Sequence, residues 1–239
     1  MPIDSRPDHV AVAVPELEPA TARWHDELGG GYLEPRVVTE EAGFATCQLH
    51  YRGGGKLELL EPVSDDGFAA RFIQRFGAQV HHITLTVPEL HPAVEELTDA
   101  GYEVVDISTD DELWHEAFLR PSQAGGVLIQ IARSAYTTME WAEHWGRETG
   151  WVVEQPRPDG AVLVGPALGH PDLDAARRLW EVLGGEVEKD DDGLSVAWPD
   201  AALSVRIEQT ETAGPLGVRF EAADELSGDP QLGAAVLKA

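Results

Sequence analysis

Large apolar residues alternate with small or polar ones near the start of the chain. In "DHVAVAV", Val10, Val12 and Val14 fall on one side of a period-two strand, and His9, Ala11 and Ala13 fall on the other. The pattern then changes. Leu17, Ala20, Trp24 and Leu28 recur at helical spacing, and Gly29, Gly30 and Gly31 end that run. Strand-like alternation returns over 32–38 and 44–51, the turn "RGGG" follows, and "KLELLEP" closes the unit. The order predicted is β-α-β-β-β.

That order is written again from Val80. "HHITLTV" sets His82, Thr84 and Thr86 against Ile83, Leu85 and Val87. A helix over 92–100 ends at Gly101, and "YEVVDIST", "HEAFLRP" and "GGVLIQIAR" supply three more strands. His82 follows His9 at the same offset, to within one residue, as Gln130 follows Glu58. A period shared at both ends of two modules marks an internal repeat. A third copy is altered. The run 171–185 matches 15–30 with one residue fewer, but Gly165 stands where His9 would align and Arg206 where Glu58 would. A fourth copy is expected to begin at "GVRFEAADEL" and to hold one short helix. The expected organisation is a two-module domain over 1–135, a linker with a Trp-rich helix over 136–159, and a degenerate domain over 160–239 without metal ligands.

Charge narrows the partners. Forty-three acidic residues face seventeen basic ones, only three of them lysine, for a net charge of −26. Such a surface repels phosphate backbones, so no nucleic-acid partner is expected. No apolar run is long enough to span a membrane, and the N-terminus lacks the regions of a signal peptide, so a cytoplasmic location is expected. Cys47 is the single cysteine and excludes an intrachain disulfide. It has no identified base and reads as a small buried side chain rather than a nucleophile. His81 reads as structural, on the face opposite His82. His25, His50, His91, His115, His144 and His170 lack repeat partners and read as surface residues. Glu140 and His144, four apart on a helix, read as a salt-bridging pair.

"DHVAVAV", "HHITLTV", "KLELLEP" and "GGVLIQI", set in tandem β-α-β-β-β units, resemble the vicinal oxygen chelate superfamily, which includes glyoxalase I, extradiol dioxygenases and bleomycin-resistance proteins. "HHI", "KLELLEP" and "AFLRPSQAGGVLIQ" look like the methylmalonyl-CoA epimerases of that superfamily. The resemblance implies an α+β fold in which tandem βαβββ modules form cup-shaped mixed sheets around one divalent ion. It places the metal ligands at His9, Glu58, His82 and Gln130. The alternation agrees, because Glu58 and Gln130 each stand between apolar residues of opposite phase. Two imidazoles, a carboxylate and an amide oxygen suit Co²⁺, Mn²⁺, Ni²⁺, Zn²⁺ or Fe²⁺. The resemblance also points to Glu41, in "TEEAGFA", as a catalytic base; the plain alternative is that Glu40 and Glu41 form an exposed acidic turn.

Gln130 departs from the family pattern, in which many relatives carry Glu. An amide binds a cation through oxygen but does not carry a proton, so a second proton relay would fall to Glu58 or to a bound water. The implied function is a metal-dependent lyase or isomerase, epimerase-like or glyoxalase-like, that acts through an enolate on a small carbonyl or thioester substrate. The alternatives are a metal-free sequestration protein of the bleomycin-resistance type and a diverged dioxygenase. The third and fourth modules are expected to cover a sheet edge or a homodimer interface.

Overall fold

A computed structural model of the protein describes residues 1–40 and 43–239, with the Met139 side chain also set aside. Three modules repeat one order. The first runs β1 (Arg6–Ala13), α1 (Leu17–Thr21) continued by a π-helical turn (Ala22–Glu27), β2 (Gly31–Thr39), β3 (Phe44–His50) and β4 (Lys56–Pro62). After α2 (Phe68–Phe76) the second runs β5 (Val80–Thr86), α3 (Leu90–Asp99), β6 (Val104–Ser108), β7 (Trp114–Leu119) and β8 (Leu128–Ser134). After α4 (Thr138–Thr149) the third runs β9 (Val162–His170), α5 (Leu173–Val182), β10 (Glu186–Lys189), β11 (Gly193–Ala197) and β12 (Val205–Gln209). β13 (Gly214–Glu221) and β14 (Val236–Lys238) make a shortened fourth. The fold is thus α+β, with two open mixed sheets in the orders β2-β3-β4-β1-β5-β8-β7-β6 and β10-β11-β12-β9-β13-β14.

One pairing rule serves every module. The first strand lies parallel to the last: β1 to β4, β5 to β8, β9 to β12 and β13 to β14. In the first three modules the last strand lies antiparallel to the one before it. The parallel strands are the buried ones. Val10 to Val14 of the first module, and Ile83 and Leu85 of the second, are almost wholly shielded from solvent. β2 ends its sheet and carries Pro35, which has no N–H to give a neighbour; the β2–β3 register shifts on either side of Glu34.

Contacts within the chain group it into two compact units. One collects Met1–His9, His82–Tyr136 and Gly165–Leu216; the other collects Val10–His81, Thr137–Val164 and Gly217–Ala239. Neither is a continuous stretch of chain. Among the described residues, no helix is long and apolar enough to cross a membrane.

Three local expectations change. The helix expected to Leu28 leaves α geometry after Thr21, where Leu28 N–H bonds the Arg23 carbonyl five residues back at 3.0 Å. The wider turn brings Arg23 and Trp24 inside together, and they donate to the carbonyls of Ala234 (3.0 Å) and Leu232 (2.6 Å). The short helix expected in the fourth module is absent among the described residues. Its place is taken by the bridges Leu226–Val236 and Asp229–Gly233 ahead of β14. Glu140 closes a capping box with Thr137 at the start of α4, while His144 faces Glu148 at 3.4 Å.

Candidate metal centre

The parallel pairings set the site in register. Ala11 lies beside Glu58, Thr84 beside Gln130, and Ala167 beside Arg206. Side chains two apart on a strand share a face, and paired residues of neighbouring strands point to the same side. His9 precedes Ala11 by two residues, as His82 precedes Thr84 and Gly165 precedes Ala167. Each first strand therefore offers one position, and each last strand a second, on the same face.

In the first two modules those positions carry ligand chemistry. One ligand atom from each of His9, Glu58 and His82 lies within 4.8 Å of the others. His9 and His82 are buried, with ring centroids 5.5 Å apart at a steep angle. Asp8 Oδ2 lies 2.8 Å from His9 Nδ1. An ionised carboxylate only accepts, so Nδ1 carries the proton, and a neutral His9 keeps its lone pair on Nε2. Glu58 is half-buried, and Gln48 Nε2 donates to it at 3.5 Å.

Gln130 joins the same set through Thr84. The Thr84 hydroxyl, fully buried, donates to Gln130 Oε1 at 2.6 Å and lies 3.0 Å from His9 Nε2. Gln130 Nε2 donates to Glu116 Oε2 at 2.6 Å, and Trp114 Nε1 donates to the same oxygen at 3.1 Å. The donor set fits a divalent ion. It offers two imidazoles, one carboxylate and one amide oxygen turned away from its own N–H donors, with no thiolate to favour a closed zinc site.

Glu41, the base suggested by the resemblance, lies outside the described residues. Asp8, Thr84 and Glu116 are additions. Asp8 stands next to His9 in sequence, and Thr84 shares the face of His82, so both carried a signal of position. Glu116 is diagonal to Gln130 across β7 and β8, a relation that appears only with the register.

His81 is confirmed on the other face. It packs against Phe72 and Phe68, at centroid distances of 4.6 and 5.6 Å, and burial lowers its pKa to about 4. Cys47 is buried, and the same cause, with Glu58 and Glu61 nearby, pushes its thiol up to about 12.

The third module closes off the same chemistry. Gly165 has φ +127°, and a Cβ there would lie 2.1 Å from the Ser204 carbonyl oxygen, so no side chain fits where the histidines stand. Arg206 is held by Asp190 (Nη2 to Oδ1, 2.9 Å) and donates to Ser195 at 3.1 Å.

The Glyoxalase/Bleomycin resistance protein/Dioxygenase superfamily matches residues 8–118. Methylmalonyl-CoA epimerase from Bos taurus mitochondria is 33% identical over 134 residues, which cover 54% of this chain and 74% of that protein. The crystal structure of methylmalonyl-CoA epimerase from Mycobacterium tuberculosis superposes with a TM-score of 0.50 at 25% identity, over 55% of this chain and 89% of that one. A hypothetical protein from Staphylococcus aureus shares the fold across 98% of both chains, with a TM-score of 0.69 at 11% identity. The chain belongs to the glyoxalase/bleomycin resistance/dioxygenase superfamily. The epimerase similarity supports an isomerase or epimerase of that superfamily rather than a metal-free sequestration protein.

Proposed function

We propose that the protein is a divalent-metal-dependent epimerase that moves a proton at the carbon next to a carbonyl or thioester. The observation that carries the reading is the convergence of His9, Glu58 and His82, in a chain whose curated relatives include methylmalonyl-CoA epimerases. A divalent ion held by these residues and by Gln130 would act as a Lewis acid on the substrate carbonyl and make the adjacent C–H more acidic. The protein does the rest. Asp8 holds the His9 ring in one orientation and one tautomer. Glu58 is the single carboxylate of the proposed ligand set, so the set contributes one negative charge and leaves a positive balance to attract a developing anion. Glu41 is assigned as the proton acceptor on one face. Gln130, being an amide, carries no proton, so return of a proton on the second face falls to Glu58 or to solvent.

The test is solvent deuterium exchange and inversion with a methylmalonyl thioester, first of coenzyme A. Metal-loaded protein should exchange the α-proton. His82→Ala and thorough chelation should each abolish exchange. Glu41→Gln should slow it by about 10²–10⁴-fold, the usual contribution of a positioned acid–base group. Full exchange after chelation overturns the metal-dependent reading, and unchanged exchange in Glu41→Gln moves the base elsewhere.

A further inference from the structure

We infer that Glu116 is a positioning residue for the metal centre: its carboxylate decides which end of the Gln130 amide faces the histidines. This rests on the metal reading above and adds a part to it. The two ends of a glutamine amide have nearly the same shape, but only the oxygen has a lone pair for a cation. A glutamine free to turn would present N–H to the ion for part of the time. Glu116 removes that freedom. Ionised, it only accepts, and it takes the Gln130 Nε2–H at 2.6 Å. The amide oxygen is then turned the other way, to the Thr84 hydroxyl at 2.6 Å, which itself stands 3.0 Å from His9 Nε2. Trp114 Nε1 holds the carboxylate from behind at 3.1 Å. The strand register supports this. Glu116 pairs with Ala132 and Gln130 with Phe118, so the two are diagonal neighbours on adjacent antiparallel strands.

The contact has an electronic side as well. A negative acceptor on the amide N–H draws electron density toward the carbonyl oxygen, as in any chain of polarised hydrogen bonds. Gln130 held by Glu116 thus takes on part of the character of a carboxylate ligand. The pair Gln130–Glu116 places one amide and one carboxylate where the family pattern has a carboxylate ligand, with the charge moved one residue outward.

The arrangement predicts a swap. Gln130→Glu alone sets two carboxylates against each other at hydrogen-bonding distance, and like charges resist ionising together. That variant should bind metal no better than wild type. Exchanging both residues, in the double variant Q130E/E116Q, restores one amide and one carboxylate with the hydrogen bond intact.

The experiment is Co²⁺ titration of metal-free protein, followed by calorimetry and by the visible absorption of the bound ion, which reports the ligand set independently of turnover. Thermal unfolding of each metal-free variant checks the fold. Glu116→Gln should weaken Co²⁺ binding by about 10–100-fold, the usual effect of losing a partner that orients a metal ligand, and should change the absorption spectrum. Q130E/E116Q should return affinity to within a few-fold of wild type. Unchanged affinity and spectrum in Glu116→Gln, with binding lost in His82→Ala, overturns the role of Glu116 and leaves the metal site standing. No Co²⁺ binding by wild type, or equal binding by His82→Ala, overturns the metal reading itself. If Glu116→Gln does not fold, the double variant decides: folded protein that binds more than tenfold more weakly than wild type defeats the proposal.

Discussion

Arg206 and Asp190 show how one aligned position can change its chemistry. Where the first module holds Glu58 in its candidate ligand cluster, the third holds a guanidinium against Asp190. The Asp190 carboxyl is lowered to about 2, first by the Arg206 hydrogen bond and then by the Asp192 and Gly193 backbone. Its folded pKa lies below the ordinary 3.8. The folded state therefore binds fewer protons than the unfolded one between those values, and the stabilising contribution is present above pH 3.8 and lost as pH falls through about 2. Carboxyl NMR should find Asp190 titrating near 2, and Arg206→Ala should move it back toward 3.8. An unmoved midpoint would assign the shift to the backbone donors alone. Cys47 makes the opposite case. With its pKa near 12 it has almost no thiolate at neutral pH, so iodoacetamide should label it only after denaturation. The four proposed ligands were named from the family resemblance, with which the repeat agrees to within one residue, and so were legible in the sequence as candidates. Glu116 was not, because a diagonal contact between neighbouring strands depends on register, and alternation within one strand does not fix register.

At the scale of elements, alternation and glycine placement located the strands of the first two modules, since a strand buried on one face must write its burial into every second residue. The departures have local causes. Trp24 and Arg23 both reach backbone carbonyls of the fourth module, and a π turn is the geometry that turns both inward. Helical periodicity cannot signal it, because the partners lie more than 200 residues away in sequence. Glu140 illustrates competition between two short-range signals. Its spacing to His144 suggested a pair, but "TTME" is also a capping box, which satisfies two helix-end donors. Thr137→Ala should therefore destabilise α4 by about 1 kcal/mol, read as a fall in denaturation midpoint, while His144→Ala should cost less. Equal effects of the two would mean that the cap contributes little.

The whole molecule is a repeat whose fourth copy is cut short, and that remnant is tied to the first module. Within their unit, Phe220 of β13 is fully buried and lies 5.0 Å from the Tyr51 ring and 6.3 Å from Trp24. Tyr51 in turn donates its hydroxyl to the Trp24 carbonyl at 2.8 Å. Trp24 and Arg23 reach the carbonyls of Leu232 and Ala234, just before β14. The last stretch of chain, Gly217–Ala239, thus completes the core around the first module's helix rather than forming a tail. Phe220→Ala should cost about 3–5 kcal/mol, the range for truncating a large buried aromatic, seen as a lower urea midpoint with little change in slope. Ending the chain at Leu216 should do more. It would strip Trp24 and Tyr51 of their apolar cover, leave the Trp24 indole and Arg23 guanidinium without their carbonyl partners, and leave β9 as an unpaired edge. The shortened protein should aggregate or unfold, and metal binding should fall with it, since Glu58 sits on β4 of the same unit. A truncated chain that stays soluble and binds Co²⁺ as the full chain does would show instead that the first module's core closes without the fourth.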